Sequence, residues 1–336
     1  MSNSFGRSVA TAYALLTVLT AGAQAQAPSD FYRGKTVTVL TPDTAGSGYD
    51  AYARLVSRFM AERIPGKPSV IVQNMPGAGG LVQANYLYNI VPKDGTTFAI
   101  IMHGIIFRPI FDPREIRYEL NGFRYLGSAS PIVVIGAFNK DAAVNTTADL
   151  MKIEVPVGVS GGTTQYFPDA FNNILGTKFK LVQGYRGTNE VMLAMQRREV
   201  SGVVGIGLDS LQLSGKIEDV NILFQIGSVR ASALPNVPLV QELAKSSEDR
   251  QALEAISASV SIGRVFVTPA IPNDRYAALR DAFEATLKDP AFLEQAAKQR
   301  MSIDFVAPEA IKTIADAVYA FPEPVLKRAA AAVGPK

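Results

Sequence analysis

Cysteine and tryptophan are absent from the 336 residues, and histidine occurs once, as His103. Without thiols there is no disulfide, no cysteine nucleophile and no thiolate metal site. A single imidazole leaves little for general acid–base or metal chemistry, and neither an H-E-x-x-H motif nor a carboxylate cluster at metal-ligand spacing occurs. Binding, with no metal and no cofactor, is therefore the first expectation. Charge of one sign is also scarce. Lys and Arg number 33 against 30 Asp and Glu, a formal +3, and no long basic run appears, so a nucleic-acid partner is excluded. What is plentiful is apolar: 48% of residues are hydrophobic, with 27 Gly and 20 Pro. This is a globular composition on a chain long enough for about two domains.

Met1 to Arg7 carry one positive charge, and Ser8 to Ala23 form an apolar stretch with Leu15, Leu16, Val18 and Leu19. Ala23 and Ala25 give an A-x-A pattern before polar residues, the signature of a signal peptide over 1–25 cleaved near Ala25. The apolar part is shorter than the ~20 residues of a spanning helix. Later stretches are less apolar still, so the expectation is an exported, soluble protein.

Short apolar runs then alternate with amphipathic segments, as in βα units. Lys35 to Thr41 reads as a strand, with a loop after it and a helix opened by Asp50 that carries Leu55, Val56, Phe59 and Met60 on one face. Ser69 to Gln73 and Thr96 to Met102 are further strands, and His103 stands at the end of the latter. Val155 to Val159, Phe179 to Gln183 and Gly202 to Ile206 continue the pattern. Helices follow Pro272-Asn273 and Pro308. The fold class is α/β with mostly parallel sheets, whose ligands bind beyond the carboxyl ends of the strands.

Two glycine-rich loops each leave a strand and enter a helix: Thr41-Pro-Asp-Thr-Ala-Gly-Ser-Gly-Tyr-Asp50 and Gln73-Asn-Met-Pro-Gly-Ala-Gly-Gly80. Glycines there bring backbone N–H groups close to a ligand, and helix N-termini favour an anion. Neither loop ends as a P-loop does, and Val82 stands where the dinucleotide fingerprint needs its third glycine. The alternative is that the glycines only make tight turns. Gly158-Val-Ser160-Gly-Gly162 matches the G-x-S-x-G pattern of a serine hydrolase, which needs its histidine after the serine. His103 precedes it. Ser160 to Thr164 therefore read as a third, hydroxyl-rich loop, and an exported esterase using Ser160 stays as the alternative. His103 is a cleft residue or a satisfied histidine. Arg186, just after a strand, could meet a carboxylate or lie solvated.

In these loops the chain resembles the periplasmic receptors of tripartite tricarboxylate transporters, the Bug family. Thr44-Ala-Gly-Ser-Gly-Tyr-Asp50 matches the first family loop, with Ser47 in place of a usual glycine, and Asn74 to Gly80 matches the second intact. Pro92-Lys-Asp-Gly95 (with Lys93 inserted), Gly161-Gly-Thr-Thr164, Tyr185-Arg-Gly187 and Leu234-Pro-Asn-Val-Pro238 follow in family order. The resemblance implies a two-lobed, type II periplasmic-binding-protein fold of Venus-flytrap form. One lobe would comprise 30–129 and 229–336 and the other 130–228, with crossings near Ser128 to Val133 and Ile226 to Arg230. It implies a periplasmic, monomeric, non-enzymatic receptor that delivers a small organic acid to the membrane subunits of a transporter, or presents it to a sensor. The carried-over ligand residues are Ala45, Gly46, Ser47 and Asp50, then Gly77, Ala78 and Gly79, and Ser160, Thr163 and Thr164 from the opposite lobe. Asp50 is expected to cap its helix, with a ligand or water contact as the sharper role.

Overall fold

The β-branched run Thr36–Thr41 forms the first of ten strands in a computed structural model that describes residues 27–334. The expected leader and its cleavage near Ala25 lie outside those residues. The strands are β1 (Thr36–Thr41), β2 (Ser69–Asn74), β3 (Thr97–Ile101), β4 (Phe123–Ser128), β5 (Val134–Asn139), β6 (Val155–Gly158), β7 (Phe179–Val182), β8 (Gly202–Gly207), β9 (Val220–Ile226) and β10 (Val265–Pro269).

They build two five-stranded sheets, in the orders β2-β1-β3-β10-β4 and β7-β6-β8-β5-β9. β1 runs parallel to β2 and β3, and β6 parallel to β7 and β8, while β10 and β5 run against both of their neighbours. The reversed strand in each sheet is the one that begins after the chain has come over from the other sheet. In each sheet four strands run one way and one runs against them; the α/β class expected from the alternating pattern and the two lobes implied by the family resemblance are both present.

Central strands are covered on both faces, which is why they read as unbroken apolar runs. Every residue of β3 and of β10 is buried. Val37, Val39, Phe98, Ile100 and Phe266 pack under the helices Gly48–Met60 and Asn273–Leu287, with the Phe266 and Phe283 rings 4.8 Å apart. Each such phenylalanine contributes about 2 kcal/mol by leaving water. In the second lobe Phe138, Phe167, Phe171 and Phe224 form the corresponding aromatic core. The C-terminal helix Glu323–Val333 packs on Gly104–Phe111 and on Thr163–Leu175, so it touches helices belonging to both sheets.

The two connections between the sheets lie side by side. The Ala129 N–H donates to the Arg264 carbonyl and the Arg264 N–H to the Ser130 carbonyl, both at 2.9 Å. Gly263 makes this approach with φ +64°; a Cβ there would sit 1.9 Å from the Ser130 oxygen. The pairing fixes where the Arg264 side chain emerges, at the boundary between the lobes.

Candidate functional site

The loop after β1 is organised by its own side chains. Ser47 caps the helix Gly48–Met60 by accepting from the Asp50 N–H, so the cap is Ser47 and not the expected Asp50. The Asp50 carboxylate reaches back to the Gly46 N–H at 2.8 Å. It also accepts from Arg54 Nε at 2.8 Å and from Asn74 Nδ2 at 2.8 Å. Asn74 belongs to β2, so Asp50 ties the first glycine loop to the start of the second. Burial opposes its charge, and the bonds from Arg54, Gly46 and Asn74 outweigh burial and hold it below the ordinary carboxylate range. The N–H groups of Gly46 and Ser47 are both engaged within the loop, by Asp50 and by the Thr44 carbonyl.

The second loop meets the opposite lobe backbone to backbone. Gly77, Gly79 and Gly80 all have positive φ. A Cβ on Gly79 would lie 2.2 Å from the Gly162 Cα, and one on Gly161 would lie 2.9 Å from the Gly79 nitrogen. Glycine at these positions lets two main chains touch across the cleft. Thr164 shapes the facing loop: its hydroxyl accepts from the Ser160 N–H at 3.0 Å and donates to the Gly161 carbonyl at 2.8 Å.

Further contacts draw the lobes together. The Thr188 hydroxyl donates to Asp43 Oδ2 at 2.7 Å, and Asn189 Nδ2 to the Ala45 carbonyl at 2.9 Å. Arg264 Nη2 donates to both oxygens of Asp209, at 2.7 and 2.6 Å. The guanidinium stacks 4.1 Å above the Tyr49 ring. Burial works against its charge, but Asp209 and the two tyrosines Tyr49 and Tyr52 more than offset this and keep it protonated.

Between these contacts lies a cavity of about 30 Å³, at the carboxyl ends of β3, β6 and β8, lined by His103, Ser160, Thr163, Thr164, Asp43 and Arg264 among others. That volume holds one or two waters and is too small for an organic acid. His103 is buried and donates its backbone N–H to the Tyr49 hydroxyl, which lies 3.1 Å from Nδ1. A hydroxyl proton directed at Nδ1 leaves the ring proton on Nε2. Nε2 has no hydrogen-bond partner, and in that tautomer it is a donor.

Burial, aided by the Arg264 charge, pushes the His103 imidazole from 6.5 down to about 3. The unfolded chain therefore takes up a proton below pH 6.5 that the native state refuses. His103 costs no stability above 6.5 and costs progressively more as pH falls from 6.5 towards 3. Between pH 7 and pH 5 the expected loss is about 2 kcal/mol. Asp169, raised by burial to about 6, acts with the opposite sign in the same window. It cancels when wild type is compared with His103→Gln. Urea unfolding at the two pH values should show a smaller acid loss in the variant; equal losses would refute the assignment.

Of the residues expected from sequence, His103, Ser160, Thr163 and Thr164 line the cavity. Ala45, Gly46, Ser47, Asp50, Gly77, Ala78 and Gly79 build the flanking loops, with Gly79 at the lobe–lobe contact. Arg186 is exposed and lies off the cavity, its N–H donating to Glu190. Ser160 Oγ has Thr164 Oγ1 as its hydroxyl partner at 3.4 Å, and no hydrogen bond joins it to His103, so the geometry is not that of an activated nucleophile. Sequence reasoning missed Asp43, Thr188, Asp209 and Arg264. Asp43 stood within the first loop, between Pro42 and Thr44, and was the one of these that its place made visible.

Solved structures share this architecture. Rpa4515 of R. palustris with adipate matches with a TM-score of 0.68 and 20% identity, covering 88% of this chain and 97% of that one. MatC (Rpa3494) from Rhodopseudomonas palustris with bound malate matches with a TM-score of 0.69 and 18% identity, covering 89% and 99%. At these identities the likeness shows the fold. In sequence, the UPF0065 protein of the TAR-I ttuE-ttuC' intergenic region of Agrobacterium vitis is 28% identical over 300 residues, 83% of this chain and 78% of that protein. The family described as "Tripartite tricarboxylate transporter family receptor" matches over residues 52–320, and the chain belongs to that family of solute receptors.

Proposed function

We propose that this protein is a periplasmic receptor that binds a small organic carboxylate between its lobes and delivers it to the membrane subunits of a tripartite tricarboxylate-type transporter. One observation carries the reading. A cavity lies where the strand ends of both lobes converge, and its lining brings His103, the hydroxyl side chains Ser160, Thr163 and Ser210 and the Arg264 guanidinium together, with the Asp43 carboxylate already bonded to Thr188. Such a lining replaces the hydration of an anion, and the attraction grows when closure excludes water. The bound adipate and malate of the structural neighbours fit the same ligand class.

The mechanism is hinge closure. Because the cavity is far smaller than an organic acid, the lobes separate to admit one and close on it about the paired connections near Ser130 and Arg264. Ligand binding and the shape offered to the membrane partner are then linked. Uptake of a radiolabelled acid, the one identified by mass spectrometry of ligand released from purified protein, tests delivery. Uptake should be lost when this protein is deleted and restored when it is returned. Uptake that persists undiminished in its absence would contradict the transport role.

A further inference from the structure

Arg264 is 1% exposed, and of its three nitrogens only Nη2 is bonded; Nε and Nη1 have no partner. Buried guanidinium donors left unpaired are costly, and a side chain that keeps them so in a binding cleft is set for a group that arrives from outside. Arg264 lines the same cavity as His103, whose Nε2 is also buried and unpartnered. Tyr49 connects the two, lying under the guanidinium and bonded to His103 Nδ1. Three buried nitrogens without partners thus belong to two residues that line one small space. The other charged group there, Asp43, already accepts from the Thr44 N–H and the Thr188 hydroxyl.

Building on the receptor reading above, we propose that Arg264 is the ionic anchor of the ligand. Its free Nε and Nη1, joined by His103 Nε2, take a ligand carboxylate directly, while Nη2 stays on Asp209. Arg264 comes from the first lobe's β10 side and Asp209 from the helix Leu208–Leu213 that follows β8. The guanidinium therefore connects the ligand to the second lobe: an anion seated on Arg264 is also seated on the latch that closes the cleft. Asp209 is the ligand's competitor for this charge as well as its neighbour. The site selects for a full negative charge, and a neutral amide of the same shape leaves the guanidinium without a second counter-charge.

Titration calorimetry with adipate and with malate, on wild type, Arg264→Gln and Asp209→Asn, tests the proposal. Loss of a charge-assisted pair predicts affinity about thirtyfold weaker in Arg264→Gln. In Asp209→Asn the ligand becomes the guanidinium's only counter-ion, so affinity should be equal to or tighter than wild type. If the Arg264–Asp209 pair is only a strut between lobes, both variants weaken together, and that outcome overturns the proposal. So does wild-type affinity in Arg264→Gln, which would leave the receptor reading standing. A wild-type protein that binds no carboxylate overturns the receptor reading and this inference with it. Should Arg264→Gln fail to fold, as judged by circular dichroism, the direction of change in Asp209→Asn decides alone.

Discussion

Gly79→Ala should fold and bind its carboxylate about tenfold more tightly, because it disfavours a closed conformation whose cavity is too small for the ligand. The added Cβ meets the Gly162 Cα at 2.2 Å and its nitrogen at 2.3 Å. These are main-chain atoms and cannot swing aside as a side chain does. The φ of +61° adds a smaller cost for any residue with a Cβ. The cheapest relief is for the lobes to stay apart, which leaves each lobe's core untouched. Small-angle scattering without ligand should show the variant more extended than wild type. Gly176→Ala is the control: its φ of +73° carries the same backbone cost, but nothing lies within 4 Å. It should lose some stability and no affinity. Equal affinities for Gly79→Ala and wild type would show that closure to this contact does not compete with binding.

Asp50→Ala should be the most damaging single change in the first loop, lowering stability by about 3 kcal/mol, within the range for removing a buried charged hydrogen-bond acceptor. Three donors lose their acceptor together: the Gly46 N–H, Asn74 Nδ2 and Arg54 Nε. Asn74 also donates to the Asp43 carbonyl, so the disturbance reaches the cavity wall through β2. For a chain of this size that loss corresponds to a melting temperature lower by about 5 °C. Ser47→Ala removes only the helix cap and should cost about 1 kcal/mol. If the two variants melt alike, Asp50 is not the tie between the two glycine loops.

The fold was legible where local chemistry and tertiary role agree. Thr36–Thr41 is rich in β-branched residues and becomes the largely buried β1, and helices begin at Asn273, directly after Pro272, and at Pro308 itself, within one residue of the expected starts. His103 was rightly seen at the end of a strand, because strand ends mark the ligand side of an α/β lobe. Ser47 and Asp50 stand three apart in a capping-box arrangement, from which sequence alone picked the wrong member as the cap. Arg264 could not be found this way. Its neighbours Gly263 and Val265 read as an ordinary strand entrance, and its partner Asp209 is 55 residues away on the other lobe. The glycine signatures were visible as permission for unusual backbone, but not as the surface on which Gly79 meets Gly161 and Gly162. Arg186 shows the converse: a promising position after a strand that the fold leaves exposed.

Titration calorimetry of ligand-stripped, refolded protein against a broad panel of organic acids tests the central claim most directly. Saturable one-to-one binding of at least one carboxylate, with a negative heat-capacity change as the lobes close on it, is the predicted result. A folded, stable protein that binds none of the panel would contradict it.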